Sequence, residues 1–297
     1  MKYACIYAER SVLPVERACR LLKVSASGYY AWQKRQAQAP PPSDETHLMA
    51  QITTIFEESR VTYGSPRVTA ALRQQGVVCN RKRVARLMRQ HHLVAKHRRR
   101  RRVKTTDSRH NDLVAPNHLN RDFSARRPNE KWVADITYID TADGWLYLAL
   151  VMDVFSRKIV GWAMATHLEE SLVEQALRMS LFRRQPTTGT LLHHSDRGRQ
   201  YASHTYQHLL AAFGITVSMS RAADPYDNAL MESGIGTLKT ECADHRFPAR
   251  RIACSELFAY LEGWYNRRRL HSALGYCSPD QFEHRFLQDN FLLHSKG

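Results

Sequence analysis

Three acidic residues stand where an acid needs a physical reason. Asp135 interrupts KWVADITYID among Val133, Ala134 and Ile136, where a carboxylate is costly unless a counter-charge meets it. Asp196 closes TLLHHSD just before Arg197-Gly198, at a strand end of the kind where open sheets present functional side chains. Glu232 lies in a helical stretch whose apolar positions include Leu230 and Leu238. Acids carried on two strands and a helix can converge on a hard cation, because carboxylate oxygens suit Mg²⁺. Each acid also has an ordinary structural reading: a strand aspartate pairs with a buried arginine, and a helix glutamate faces solvent. Asp153 interrupts an apolar strand in the same way as Asp135, and periodicity does not separate the two.

The elements that must position these acids can be read in order. KWVADITYID is rich in aromatic and β-branched residues, and Asp143-Gly144 marks a hairpin before WLYLALVMDV. RKIVGWAMAT continues as a third strand. A helix is expected over about 169–183, a strand over Thr190 to Asp196, a helix over 203–213 and a strand over Ile215 to Ser220. Helices over about 227–241 and 255–268 close the domain. Three antiparallel strands followed by alternating helices and strands predict an α/β domain with a mixed five-stranded sheet, helices covering both faces.

The charge is distributed unevenly. The 297-residue chain carries a formal net charge of +16. Residues 1–128 hold 26 Lys and Arg against 9 Asp and Glu, and residues 129–297 hold 18 against 19. A polyanion-binding half joined to a half with another task fits that asymmetry. The longest central apolar run, Trp145 to Met152, is far too short to span a bilayer. Glu9 and Arg10 fall where a signal peptide needs apolar residues. A soluble, cytoplasmic protein with no membrane partner is therefore expected. The six cysteines form no CxxC pair and no framework, which suggests reduced thiols; His92 and His97 lack the cysteines of a zinc site.

Within the basic half, PVERACRLLKVSASGYYAW reads as two short helices: Ala18, Leu21 and Leu22 form a stripe, and Ser25 or Ser27 caps the second. QAQAPPPSDE is a linker, since consecutive prolines enter neither helix nor central strand. A second helix pair follows, with Ser65 as cap, Pro66 at the first position, Gly76 as stop and Asn80 capping the next helix. Val84, Leu87 and Met88 make its buried stripe, leaving Arg81, Lys82, Arg83, Arg86 and Arg89 on the surface. That is where a helix-turn-helix reaches DNA. The run Arg98, Arg99, Arg100, Arg101 and Arg102 follows, and from Arg81 to Lys104 there are twelve basic residues and no acidic one. Such residues bind phosphates without reading sequence. Together, acids and charge point to metal-dependent phosphoryl chemistry on nucleic acid.

WVADITYI, HHSDRGRQY and YDNALMES followed by LK resemble the catalytic core of second-frame transposases of two-frame bacterial insertion sequences, members of the retroviral-integrase-like superfamily. Asp196 and Glu232 are separated by 35 residues, the spacing of that family's acidic triad, and Lys239 follows Glu232 by seven, two helical turns along one face. TYGSPRVTAALR with RVARLMR resembles the family's basic helix-turn-helix, and WYNRRRLHSALGYCSPDQFE its C-terminal signature. PVERACRLLKVSASGYYAW resembles its N-terminal segment, so the likeness runs from about Met1 to Phe286.

The resemblance implies a ribonuclease-H-like core over 129–286 and a basic helix-turn-helix domain over 46–107, with an N-terminal helix-turn-helix segment over 1–38. Linkers at 39–45 and 108–128 and a tail at 287–297 complete the expected division. It implies Asp135, Asp196 and Glu232 as catalytic metal ligands, with Asn228, Lys239, Arg267, Arg268, Arg269 and His271 supporting the site or contacting DNA. Two Mg²⁺ ions, for which Mn²⁺ may substitute, would clamp the scissile phosphate about 4 Å apart. The implied reaction cuts an element end and joins its 3′ hydroxyl to DNA through a circular intermediate. Implied partners are double-stranded DNA at terminal repeats and target, the first-frame protein of the element, often fused by frameshifting, and further copies of the chain on DNA. One departure stands out: Ser233-Gly234-Ile235-Gly236 replaces the two phenylalanines usual after the glutamate, and a helical glycine costs about 1 kcal/mol against alanine. Arg221 to Pro225 also lacks a glycine often found there. A DNA-binding protein with weakened catalysis, or a metal nuclease or resolvase, therefore stands as an alternative.

Overall fold

The computed structural model describes residues 2–37, 44–97, 114–222 and 224–294. Most of the proline linker and the Arg98 to Arg102 run lie outside the described residues. The chain divides into two compact units, 1–54 and 55–297.

In the first unit, α1 (Lys2–Ala8), α2 (Val15–Leu21) and α3 (Ala26–Ala37) bury Ile6, Ala18, Cys19 and Tyr29. Ala18 is buried and Leu22 packs against this cluster as expected, but Leu21 is 68% exposed and Cys19 is buried in its stead. Ser25 rather than Ser27 caps α3, its Oγ accepting the Gly28 amide at 3.1 Å. Helix α1 had no clear sequence signal.

The second unit begins inside α4 (Asp44–Glu58), followed by α5 (Ser65–Gln74) and α6 (Arg81–Gln90). Gly64, not Ser65, is the cap of α5, and Ser65 is already helical. Gly76 follows with φ +82°, and the Asn80 side chain accepts the Lys82 amide at 2.8 Å to start α6. Val84, Leu87 and Met88 are buried as expected.

The sheet contains β1 (Lys131–Ile139), β2 (Leu146–Asp153), β3 (Ile159–Ala165), β4 (Leu192–Ser195) and β5 (Thr216–Met219), in the order β3-β2-β1-β4-β5. The first three pair antiparallel, and β1-β4 and β4-β5 pair parallel. Gly144, at φ +101°, turns the β1-β2 hairpin. This strand order and direction are those of a ribonuclease-H-like core.

Strand alternation sorts the two faces. Trp132, Ala134, Ala149 and Val151 pack with α7 (Glu170–Arg184), α8 (Arg199–Ala202) and α9 (His204–Ala212). Val133, Leu148, Leu150 and Met152 pack with α10 (Ala229–Glu241) and α11 (Arg250–Phe258). Gly161 on β3 permits the close approach of α7: a Cβ there would lie 2.2 Å from the Ala176 carbonyl. The expected helix over 255–268 starts earlier and continues past α11 as a π-helical stretch, Ala259–Tyr265. Beyond it α12 (Pro279–His294) runs through most of the expected tail at 287–297.

Candidate active site

Sheet register brings the first two acids together. In the parallel β1-β4 pair, Lys131 lies beside Leu192 and Val133 beside His194. Carried two residues further, the same offset sets Asp135 opposite Asp196, which follows β4 directly. Asp135 shares the parity of Val133 and pairs across β2 with Leu150, both on the α10 face. Helix α10 carries Glu232 in its first turn. The strand period and the crossover thus turn all three acids toward one region.

The charges of the other two acids are felt at Asp135. Burial pushes the half-buried Asp135 carboxyl well above the usual carboxylate range, and Asp196 and Glu232 push it further. The Ile136 amide, 2.7 Å from Oδ1, and Lys239 pull in the opposite direction. Lys239 therefore sits within reach of the cluster, two turns along α10 from Glu232. Asp196 is oriented by the Gly198 amide, which donates to its Oδ1 at 3.0 Å. Arg197 Nε donates to the Ser220 carbonyl at 2.6 Å, tying this loop to the end of β5. Glu232 itself is exposed. Among the described residues, no three His, Cys, Asp or Glu side chains are gathered closely enough to hold a metal ion as they stand. The donor set suits a hard cation, and the cage around it is open on the Glu232 side.

Asp153 does not belong to this cluster. It pairs with Trp132 on the opposite, α7 face of the sheet. Its carboxylate accepts the Asn129 amide at 2.7 Å and the Phe155 amide at 2.9 Å, with Arg184 Nη2 at 3.7 Å. Arg184 in turn forks onto Glu283 at 2.8 Å through both terminal nitrogens. This is the ordinary structural outcome for a strand aspartate.

Two features were not foreseen. The turn before α10 is held by Asp227, whose carboxylate is fully buried and accepts Arg221 Nη2 at 2.8 Å, Arg121 Nε at 3.0 Å, Asn117 Nδ2 at 2.9 Å and the Arg221 amide at 2.8 Å. Arg221 first, then Arg121, holds its pKa well below the usual range despite burial. Asp224 caps the same turn at the Tyr226 amide, 3.1 Å away. The Pro225 that follows Asp224 was the available sequence signal for a capped helix start. Tyr201 of α8 is the second: its ring is 2% exposed, and burial raises its phenol strongly, with Tyr206, Asp135 and Asp196 adding to the shift.

Comparisons with known proteins follow the same layout. Models described as Integrase core domain match residues 125–225 and 213–279, and one described as HTH-like domain matches 43–101. The chain is 39% identical over 290 residues to Transposase InsF for insertion sequence IS3A of Escherichia coli K12, covering 97% of this chain and 100% of that protein. The chain belongs to the IS3-type insertion-sequence transposase family. It is also 43% identical over 271 residues to an uncharacterized 31 kDa protein of insertion element IS600 from Shigella sonnei, covering 91% and 98% of the two chains. Among solved structures, a simian T-cell lymphotropic virus intasome is similar at TM-score 0.44 and 16% identity, covering 78% of this chain and 74% of that one. At that level the fold assignment rests on the strand order itself.

For an IS3-type chain the expected DNA contacts divide sharply by exposure. Arg81, Lys82, Arg83, Arg86 and Arg89 are all exposed on α6, and Arg267 and Arg268 are exposed as well. Arg269 is not available: it is 4% exposed and ion-paired to Glu241, Nη2 to Oε1 at 2.8 Å. His271 is half-buried, and burial and Arg269 lower its pKa to about 2. It stays neutral and offers no cation to a phosphate. Asn228 is 4% exposed, with Nδ2 donating to the Ala134 carbonyl at 3.0 Å. That bond ties the start of α10 to β1 and leaves the side chain out of solvent. Gly234 and Gly236 lie inside α10, which is continuous from Ala229 to Glu241. A Cβ on Gly234 would lie 2.4 Å from the Met152 methyl, so part of the space a larger residue would take is filled from β2.

Proposed function

We propose that this protein is a DNA transposase that cleaves the ends of its insertion sequence and joins the 3′ hydroxyl to DNA. The observation that carries this reading is the sheet register, which sets Asp135 opposite Asp196 on the face covered by α10, the helix that carries Glu232 in its first turn. Three facing carboxylates are unfavourable together and become favourable around a hard cation. They are proposed as the ligands of two Mg²⁺ ions, with Mn²⁺ as a substitute, which when bound would activate the attacking oxygen and neutralise charge on the leaving one.

The chain's own residues do the rest. Asn228 and the Asp227 network fix the start of α10, and Lys239 places a positive charge beside the acids. Arg81, Lys82, Arg83, Arg86 and Arg89 on α6 meet the duplex at the terminal repeat, with Arg98 to Arg102 adding phosphate contacts. Arg267 and Arg268 serve as further contacts. The first-frame protein and a second copy of this chain on DNA complete the proposed assembly. The exposure of Glu232 and the open cage favour one second reading, a protein that binds element ends with weakened cleavage.

A cleavage-and-joining assay on duplexes carrying the element's terminal repeats tests the proposal. Metal-dependent joined product is expected from the wild type and none from Glu232→Gln. Binding without cutting or joining, even with the first-frame protein added, supports the second reading. Cut DNA without joined product indicates a nuclease instead.

A further inference from the structure

The helix-turn-helix is seated on the core through the loop that follows the π-helical stretch. Leu270 donates its amide to Tyr63 Oη at 2.7 Å, and its carbonyl accepts Arg67 Nε at 3.0 Å. Tyr63 packs against Trp264 with ring centroids 5.9 Å apart. At the far end of α5, Gln74 donates to the Tyr276 carbonyl at 2.8 Å. Tyr63 and Leu270 are 3% and 4% exposed, so their bond is shielded from water.

The neighbouring residue carries this contact inward. Arg269 Nε lies 2.9 Å from both carboxylate oxygens of Glu241, which also accepts the Tyr260 hydroxyl at 3.0 Å. A buried bidentate pair of this kind holds geometry more firmly than a point charge would. Glu241 is the last residue of α10, and Glu232 lies nine residues earlier on the same helix, about 13 Å along its axis. Helix α6 packs on α5, α5 bonds to Leu270, and Arg269 bonds to α10. A continuous series of packed and hydrogen-bonded elements therefore joins the basic helix to the glutamate.

A slip of one nucleotide moves the DNA backbone by about 3.4 Å. Seat bonds of 2.7 to 3.0 Å do not survive a displacement of that size. We infer that this seat is a ruler: Tyr63, Arg67 and the Arg269–Glu241 pair are positioning residues that fix which phosphate meets the acidic cluster once α6 has engaged its sequence. The inference rests on the transposase reading and adds to it the origin of cut-site precision.

The test maps cut positions at nucleotide resolution on end-labelled terminal-repeat duplex with Mn²⁺, using full-length wild type, Arg67→Ala and Tyr63→Phe. The wild type is expected to cut at one phosphate. Both variants are expected to bind the end as tightly and to spread cuts by about one to two nucleotides, at about 3.4 Å each. If Arg67→Ala fails to fold, Tyr63→Phe carries the test, because it keeps the ring and loses only the acceptor for Leu270. Wild-type cut positions in the folded variants overturn the inference. Should the wild type bind but not cut, the transposase reading fails separately, and a metal-free hydroxyl-radical footprint decides. A sharp core boundary in the wild type that blurs in the variants supports the ruler, and an identical boundary overturns it.

Discussion

Asn228 places its side-chain amide 3.0 Å from the carbonyl oxygen of Ala134, the residue immediately before Asp135. One hydrogen bond thus ties the start of the helix that carries Glu232 to the strand that carries Asp135. Replacing Asn228 by Ala removes a buried bond and is expected to cost about 1–3 kcal/mol of stability. Turnover on end DNA should fall by more than affinity for that DNA. Equal losses in both would assign Asn228 to DNA binding.

Asp227 makes a parallel prediction for the turn itself. Asp227→Asn keeps the shape but leaves Arg221 and Arg121 without their shared carboxylate. Because both arginines are about half exposed, the loss should be about 1–3 kcal/mol rather than that of a fully buried pair. Thermal unfolding should then fall by several degrees, at roughly 2–4 °C per kcal/mol. An unchanged midpoint would show that the network is dispensable.

The acids and their rivals show how far the residues alone could lead. The presence of five strands, the β1-β2 hairpin and the basic α6 were legible because residue type, Asp-Gly and Asn80 each act locally, whereas the strand order depends on pairing between distant segments. Asp135 and Asp153 could not be separated, since β2 is buried on both faces and such strands show no period to count. Which face each acid takes became clear only with the pairing of Asp135 to Leu150 and of Trp132 to Asp153. Arg267, Arg268 and Arg269 are equivalent in sequence, and only the arrival of Glu241 from a distant helix buries the third. Gly234 reads as a helix defect until Met152 is seen to fill the space beside it.

Exposure separates two kinds of arginine in a binding experiment. Arg83→Ala is expected to weaken binding to end DNA and to lower the slope of log affinity against log salt by about one phosphate contact. Arg269→Ala should leave that slope intact and lower the unfolding midpoint instead, since it strands Glu241 in the core. A reduced salt slope in Arg269→Ala would restore it to the DNA surface.

His193 and His194 predict a pH effect on stability. Both are fully buried, and burial lowers them to about 3 and about 4. In the unfolded chain they take up protons near pH 6.5. Their contribution is intact above that pH and drains as pH falls toward 4, by up to about 1.4 kcal/mol per pH unit for each histidine. Asp135, with its raised pKa, works in the opposite sense, so the comparison must be internal. The stability difference between pH 7 and pH 5, read by urea unfolding, should be smaller in His194→Gln than in the wild type. Equal differences would mean that His194 is protonated in the folded state.

If acids from two strands and a helix form one cation site on DNA, removing any one of them must release the ions. Mn²⁺ titration of the DNA-bound protein, read by electron paramagnetic resonance, tests it directly with wild type, Asp135→Asn, Asp196→Asn and Glu232→Gln. About two bound ions are expected for the wild type, with loss of bound Mn²⁺ in each variant. Equal Mn²⁺ binding by all four proteins would contradict it.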